Sequence, residues 1–241
     1  RGIQSQGREL LGGDVAIRIL YREATPEQLG TLKIYGMISE SVDLRGMART
    51  DDGQRSTLVE VKAADAAYPL AGTVTFLPPE NGASLQDLLA RKDGLWGVAI
   101  EPAVLDRLGV RLGDTVKLGT LDYQIRAVID REPDRVGTGG FNLGPRFLVP
   151  FASLAETGLI QPGSMTYYDY RILLPDAANA GRVARDIETQ FAGQGWRVRD
   201  AAEAAPQIRL FVDRLATFLT LVGLTALLVG GVGVANAVNS Y

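Results

Sequence analysis

Apolar and polar positions alternate two by two in several short stretches of the chain, and two of these stretches share one plan. In the first, Ala16-Ile17-Arg18-Ile19-Leu20 has the period of a strand. Thr25-Pro26-Glu27-Gln28 then reads as a helix start, with Thr as cap, Pro at the first helical position and Gln three residues beyond the cap. Leu29 and Leu32 face inward, Gly36 closes the helix, and Ser39–Leu44 resumes the alternation. The second stretch repeats this order. Tyr170–Leu174 is a strand, Asp176 caps a helix, Val183, Ala184, Ile187 and Phe191 recur at helical spacing, and Gly193 and Gly195 stop it before a short strand at Trp196–Arg199. A shared Arg-Ile-Leu, at Arg18 and at Arg171, marks corresponding positions in the two.

Two β-α-β units of this kind pack as one split, ferredoxin-like sheet. The expected fold is therefore α+β: a β-α-β lobe formed by residues 1–83 and 164–204, with a smaller α+β lobe inserted over 84–163. The insert contributes a helix at Pro102–Leu108 with Gly109 after it. A strand pair follows, with Val116 and Leu118 alternating and Tyr123, Ile125, Ala127 and Ile129 on one face. The stretch "RFLVP" is a further strand, and "FASLAETGLI" a capped helix stopped by Gly158. Each lobe is expected to hold a modest core of its own.

Beyond residue 204 the pattern changes. Ile208, Phe211, Leu215, Phe218 and Val222 are spaced by three and four, a coiled-coil-like seam. No Gly or Pro lies between Gln207 and Val222, so one stiff stalk helix is expected. It runs into "LATFLTLVGLTALLVGGVGVANAV", Leu215 to Val238, which holds no charged residue. As a helix this run spans roughly 36 Å, against about 30 Å for the hydrocarbon core of a bilayer. A buried core helix is the alternative, but soluble helices of that length are seldom apolar all round. Residues 205–241 are thus expected to be a stalk continuing into a transmembrane helix. Gly231/Ala235 and Gly233/Ala237 have the small-xxx-small spacing that lets membrane helices approach closely.

Composition narrows the chemistry. With 25 basic and 28 acidic residues among 241, the net charge of −3 argues against a nucleic-acid partner. There is no Cys and no His, which removes thiolate and imidazole nucleophiles, triads and the common zinc sites. The glycine-rich Gly137–Pro145 lacks the Lys-Ser/Thr ending of a phosphate loop and reads as a surface loop. Gly113-Asp114 reads as an ordinary turn, and Glu101 and Asp106 as solvated carboxylates. "MTYYDYRI" reads as a strand with one wet and one dry face. No catalytic residue, metal ligand or cofactor is expected. The chain starts at Arg1 and reads as a piece of a longer protein.

The stretches "GGDVAIRILYREATPEQ", "SESVDLRGMA", "LVEVKAADAAYPLAGTV", "EPAVLDRLGVRLGDTVKLG", "REPDR" with "LGPRFLV", and the exit "FLTLVGLTALLVGGVGVANAV" occur together and in order. In that set the chain resembles the MacB-like periplasmic core domain of ABC-transporter permeases, the FtsX, LolC and MacB group, and within it the YbbP-type permeases. The resemblance implies a domain held in the periplasm by the inner membrane. It also implies ATP hydrolysis on a separate cytoplasmic ABC ATPase subunit, and motion passed through the stalk helix to other transmembrane helices of the permease. For the YbbP type it further implies lipidic or hydrophobic substrates and an esterase or thioesterase as partner; a second copy of the domain is a separate candidate partner. A tail-anchored protein-binding module is the alternative for a lobe-plus-helix chain of this kind. A membrane-bound carboxylate hydrolase is a third reading, without a candidate residue.

Overall fold

The computed structural model describes residues 2–78, 82–135, 144–201, 215, 218–220, 222 and 223, with side chains from Gly7 onward. Contacts divide the chain into two units, Arg1–Ala204 and Ala205–Tyr241.

The first unit opens with a helix that the pattern did not indicate, α1 (Gly2–Leu11). The first β-α-β stretch follows as β1 (Val15–Leu20), α2 (Pro26–Lys33) and β2 (Met37–Thr50). Thr25 caps α2 as expected, its hydroxyl accepting from Gln28 N while Gln28 Oε1 accepts from Thr25 N. β2 runs six residues beyond Leu44, the last position read as strand from the sequence, and forms a hairpin with β3 (Ser56–Ala64). The middle of the chain adds β4 (Thr75–Phe76), α3 (Leu85–Leu89), β5 (Trp96–Ile100), α4 (Pro102–Leu108), β6 (Thr115–Leu118), β7 (Leu121–Arg131) and β8 (Arg146–Pro150). A second capping box, at Ser84 and Asp87, starts α3. Gly109 ends α4 in the left-handed region at φ 67°, where a side chain would be strained. "FASLAET" is a 3₁₀ helix without a side-chain cap, not the capped α-helix expected; Pro150 stands at its N-cap and has no side-chain oxygen to accept from the first turn. The second β-α-β stretch is β9 (Tyr167–Leu173), a 3₁₀ turn capped by Asp176, α5 (Ala180–Gln190) and β10 (Arg197–Asp200).

The strands join in the order β10-β1-β9-β2-β3-β8-β5-β7-β4, with β6 pairing both β2 and β7. At one end β10, β1, β9 and β2 are antiparallel neighbours. At the other, β2, β3, β8, β5, β7 and β6 form a closed circuit, because β6 bridges back to β2. Strands β2 and β3 therefore belong both to the flanking segments and to the wall of the insert. The main core follows suit: Val15, Ile17, Tyr170 and Ile187 lie in the same buried cluster as Val98, Val116, Tyr123 and Phe147. Where two modest cores were expected, one continuous core spans both stretches. A smaller cluster, Tyr68, Val74, Leu85, Leu88, Ala127 and Leu148 among its members, sits on the other side of β7 and β8.

In the second unit, Leu215, residues 218–220, Val222 and Gly223 are helical. Leu215, Phe218 and Val222 of the expected seam are exposed there, Phe218 at 62 %. Ile208, Phe211 and the small residues Gly231, Gly233, Ala235 and Ala237 lie outside the described residues, as does most of the apolar run. Among the described residues no helix is long and apolar enough to cross a membrane.

Leu32 is the residue of α2 buried completely against the core, while Thr25 is an exposed cap. Leu32→Ala is expected to cost about 2–5 kcal/mol, and Thr25→Ala about 1 kcal/mol. Chemical denaturation of the two variants side by side checks this order.

Candidate functional site

Alternation sends Val15, Ile17 and Ile19 of β1 and Tyr168, Tyr170 and Ile172 of β9 into the core. Arg18, Asp169 and Arg171 therefore point to the opposite face of the sheet. The same holds for Asp43 on β2, Lys62 on β3 and Arg146 on β8, whose neighbours Val42, Leu44, Val61, Ala63 and Phe147 are core residues. Backbone register lines several of these up: Arg18 lies opposite Asp169, and Asp43 opposite Lys62. Just past β7, Glu132 and Asp134 enter the same face.

The side chains close into a ring in which charges alternate. Lys62 Nζ is 2.7 Å from Asp134 Oδ2 and 2.9 Å from Glu132 Oε1. Arg146 Nε donates to Glu132 Oε2 at 2.7 Å, and its other nitrogen reaches Asp43 Oδ1 at 3.3 Å. Arg18 stands 3.3 Å from Asp43 and holds both oxygens of Asp169, at 2.9 and 2.7 Å. Arg171 bonds Asp169 at 3.1 Å and closes the circle at 3.9 Å from Asp134. Tyr68 roofs the ring. Its hydroxyl donates to Asp134 at 2.7 Å and its ring faces Lys62 Nζ at 4.5 Å. Lys62 is completely buried, and Asp134, Asp169, Arg146 and Arg171 are at most 5 % exposed.

Burial raises the cost of every one of these charges, and the ring answers it charge by charge. Desolvation alone would push the Asp134 carboxyl up, but Lys62 and Arg171 beside it hold it below the usual carboxylate range. Desolvation of Asp169 is likewise outweighed, by Arg171 and Arg18, and it is held down at about 2. Glu132 is lowered against its own burial by Lys62 and Arg146. At Asp43 the balance goes the other way: desolvation outweighs Arg146, Lys62 and Arg18, and its carboxyl is pushed up to about 6.

Beside the ring, Asp14 ties α1 to the segments that follow β9 and β10. Asp14, 1 % exposed, takes Arg8 Nε on Oδ1 at 2.8 Å and the backbone N of Leu174, just past β9, on Oδ2 at 2.9 Å. Its carbonyl accepts from Ala201 N, just past β10, at 3.0 Å. Gly12, at φ +77°, passes so close that a Cβ there would lie 3.0 Å from Asp134 Cβ and 3.5 Å from Arg171 Nε. Gly7 of α1 is equally tight against Ala201, whose carbonyl oxygen a Cβ would meet at 2.5 Å.

None of this was proposed from the sequence, although the signal was there. The quoted stretches "IRIL", "SVDL", "EVKAAD", "REPDR" and "GPRF" each contain one or two ring residues, and the shared Arg-Ile-Leu places Arg18 and Arg171 on either side of Asp169. The face of "MTYYDYRI" expected to be wet is buried too, because Asp169 and Arg171 are covered within the ring. Glu101 is not a solvated carboxylate, since Arg135 Nε pairs with it at 2.9 Å and it accepts from Arg146 N at 2.9 Å; Asp106 is exposed on α4. Gly113-Asp114 forms the expected turn, Asp114 accepting from Arg111 N. Gly137–Pro145 lies mostly outside the described residues. Among the described residues no group of three or more acidic side chains is placed to hold a metal ion.

The fold is similar to those of two solved transporter domains. The extracellular domain of the noncanonic ABC-type transporter YknZ from Gram-positive bacteria superposes with a TM-score of 0.51 at 14 % identity, covering 77 % of this chain and all of that one. The periplasmic region of MacB from Actinobacillus actinomycetemcomitans does so at 0.52 and 9 % identity, covering 87 % of this chain and 98 % of the other. In sequence, the chain is 27 % identical over all 241 residues to the uncharacterized ABC transporter permease YbbP of Escherichia coli (strain K12), and it spans 28 % of that relative's length. No family model matches the chain. The resemblance to permeases of this group, drawn above from the ordered motifs, is borne out.

The opposed carboxyl shifts fix a pH profile. Asp134, Glu132 and Asp169 are ionised more easily in the folded chain, so their contribution is full above about pH 4 and is lost as pH falls towards 2. Asp43 binds its proton more tightly when folded, so its contribution favours folding in acid and is lost as pH rises from about 4 through 6. Thermal unfolding followed against pH should show both limbs. Asp43→Asn should flatten the pH 4–6 limb (roughly, from the reference carboxylate value) and keep the acid one.

Proposed function

We propose that this chain is the extracytoplasmic domain of a bacterial inner-membrane ABC permease that transmits ATP-driven motion from a separate ATPase subunit. Residues 1–83 and 164–204 form its split β-α-β lobe, 84–163 the inserted lobe, and 205–241 the stalk and transmembrane helix. The observation that carries the reading is the match to YbbP over the full length of the chain. The likeness of the fold to the YknZ and MacB domains supports it. The antiparallel order β10-β1-β9-β2, with α2 joining β1 to β2 and α5 joining β9 to β10, supports the split, ferredoxin-like arrangement.

On this reading the lobes face the periplasm and the run Leu215–Val238 crosses the inner membrane. The seam Ile208, Phe211, Leu215, Phe218 and Val222 passes displacement, and Gly231, Gly233, Ala235 and Ala237 pack on other helices of the permease. The exposure of Leu215, Phe218, Leu219 and Val222 supports a lipid or helix partner for that segment. The cargo is lipidic or hydrophobic and is exported or extracted; hydrolysis of ATP belongs to the ATPase subunit, and this domain is no enzyme. An esterase or thioesterase and a second copy of the domain are its candidate periplasmic partners.

Topology tests the reading first. Single cysteines at Ser56, exposed at the start of β3, and at Ser240 are treated with a membrane-impermeant maleimide in cells whose outer membrane is permeabilised. Labelling at Ser56 with protection at Ser240 is expected. Protection at Ser56 until the inner membrane is broken would instead favour the tail-anchored binding module.

The stalk gives a second prediction. Phe211→Pro in the full-length permease should break the helix by about 3 kcal/mol and uncouple ATP hydrolysis from transport at near-normal expression. Transport unchanged by that substitution would sink the stalk model.

A further inference from the structure

The ring is not uniform. Its long links are the two made by Asp43, 3.3 Å each, and the one between Arg171 and Asp134, 3.9 Å. Together the three mark a dividing line through the ring's connectivity. On one side of it stand Lys62, Glu132, Asp134 and Arg146, from β3, β8 and the segment after β7, joined at 2.7–2.9 Å. On the other stand Arg18, Asp169 and Arg171, from β1 and β9, joined at 2.7–3.1 Å. The first group is neutral, because its two cations match its two anions. The second has a surplus cation, which Asp43 balances from β2, the strand that pairs with β9 on one edge and β3 on the other.

The end of α1 sits on this line. Gly12 lies against both Asp134 and Arg171, and Arg171 Nε, next to it, is buried without a hydrogen-bond partner. The ion pair from Arg8 to Asp14 ties the last turn of α1 to the ends of β9 and β10. A helix clasped in this way does not shift without moving Gly12 across the Arg171–Asp134 link.

We infer that α1 is a handle on the ring: its displacement, passed through the Arg8–Asp14 clasp and Gly12, opens or closes the Arg171–Asp134 link and turns the two charge groups against each other about β2 at Asp43. This rests on the reading of the chain as the motion-transmitting part of a permease. It adds which residues carry the motion into the domain. Arg8 and Asp14 are positioning residues, acting through Gly12 on a junction that neither belongs to. The tight pairs within each group keep the two halves intact while the long links between them change.

Pulsed electron paramagnetic resonance on the full-length permease with its ATPase, reconstituted in bilayers and freed of other reactive thiols, tests this. Spin labels go on Asp106→Cys in α4 and Glu188→Cys in α5, both exposed and one on each side of the line. A non-hydrolysable ATP analogue is expected to shift the distance between them. Arg8→Gln and Asp14→Asn should each reduce that shift to less than about half, and Arg8→Lys, which keeps the ion pair, should restore most of it. An undiminished shift in Arg8→Gln overturns the inference and leaves the permease reading standing. Absence of any shift in the unsubstituted protein overturns both. Should Asp14→Asn fail to fold, Arg8→Gln decides, since it leaves the bond from Leu174 N to Asp14 in place.

Discussion

Lys62 is an ammonium group with no access to water, and the rest of the sheet's second face is arranged around that fact. An unpaired charge in such a place costs several kcal/mol, far more than most single contacts return. Two carboxylates and a tyrosine meet it directly. Each carboxylate in turn needs a further cation, and the requirement propagates through Arg146, Asp43, Arg18, Asp169 and Arg171 until it closes on itself. A hydrophobic layer of the same volume would be at least as stable. What the charges add is directional: each link constrains which strand stands beside which, so a register slip in any of β1, β2, β3, β8 or β9 breaks several pairs together.

That arrangement explains how a sheet can serve two stretches of chain with one core. Strand β2 runs from the split β-α-β end into the closed circuit, where β3 pairs with it, and both carry apolar side chains to one face and ring members to the other. The boundary between the halves is therefore not a linker of the usual polar, Gly-rich kind. It is marked by the longer ion pairs of the ring, over a core that continues from one half into the other.

Much of the fold was legible because its signals are local. The Thr25 capping box and the glycine ends at Gly109, Gly193 and Gly195 depend on neighbours a few residues away. The expected single face of Tyr123, Ile125, Ala127 and Ile129 does not hold: the β5–β7 register shifts between Val98 and Ala99, so Tyr123 and Ile125 enter the main core and Ala127 and Ile129 the smaller cluster. The ring was not legible from alternation, because period two tells only that a residue faces away from the core. Whether that second face is wet depends on what is laid over it, here α1, the segment around Tyr68 and the turn carrying Pro133. Charge at alternate strand positions reads as solvent exposure unless the opposite sign appears on the paired strand, and pairing is a long-range fact. The single core was missed for the same reason, since the bridge from β6 to β2 joins residues far apart in sequence.

The partners of β1 have a consequence for how the molecule is made. Both of its neighbours, β9 and β10, come from the other end of the domain, and the Arg18–Asp169 pair spans 151 residues. While the chain is being synthesised, the first strand therefore waits, apolar on one side and charged on the other, until nearly the whole domain has emerged. Contacts of such separation close slowly, and an unpaired strand edge invites wrong partners in the interval. The opposite charges that later lock the ring are then single, hydrated charges. The charge of Arg18 therefore meets Asp169 only when β9 arrives, and that pair fixes the place of β1 late.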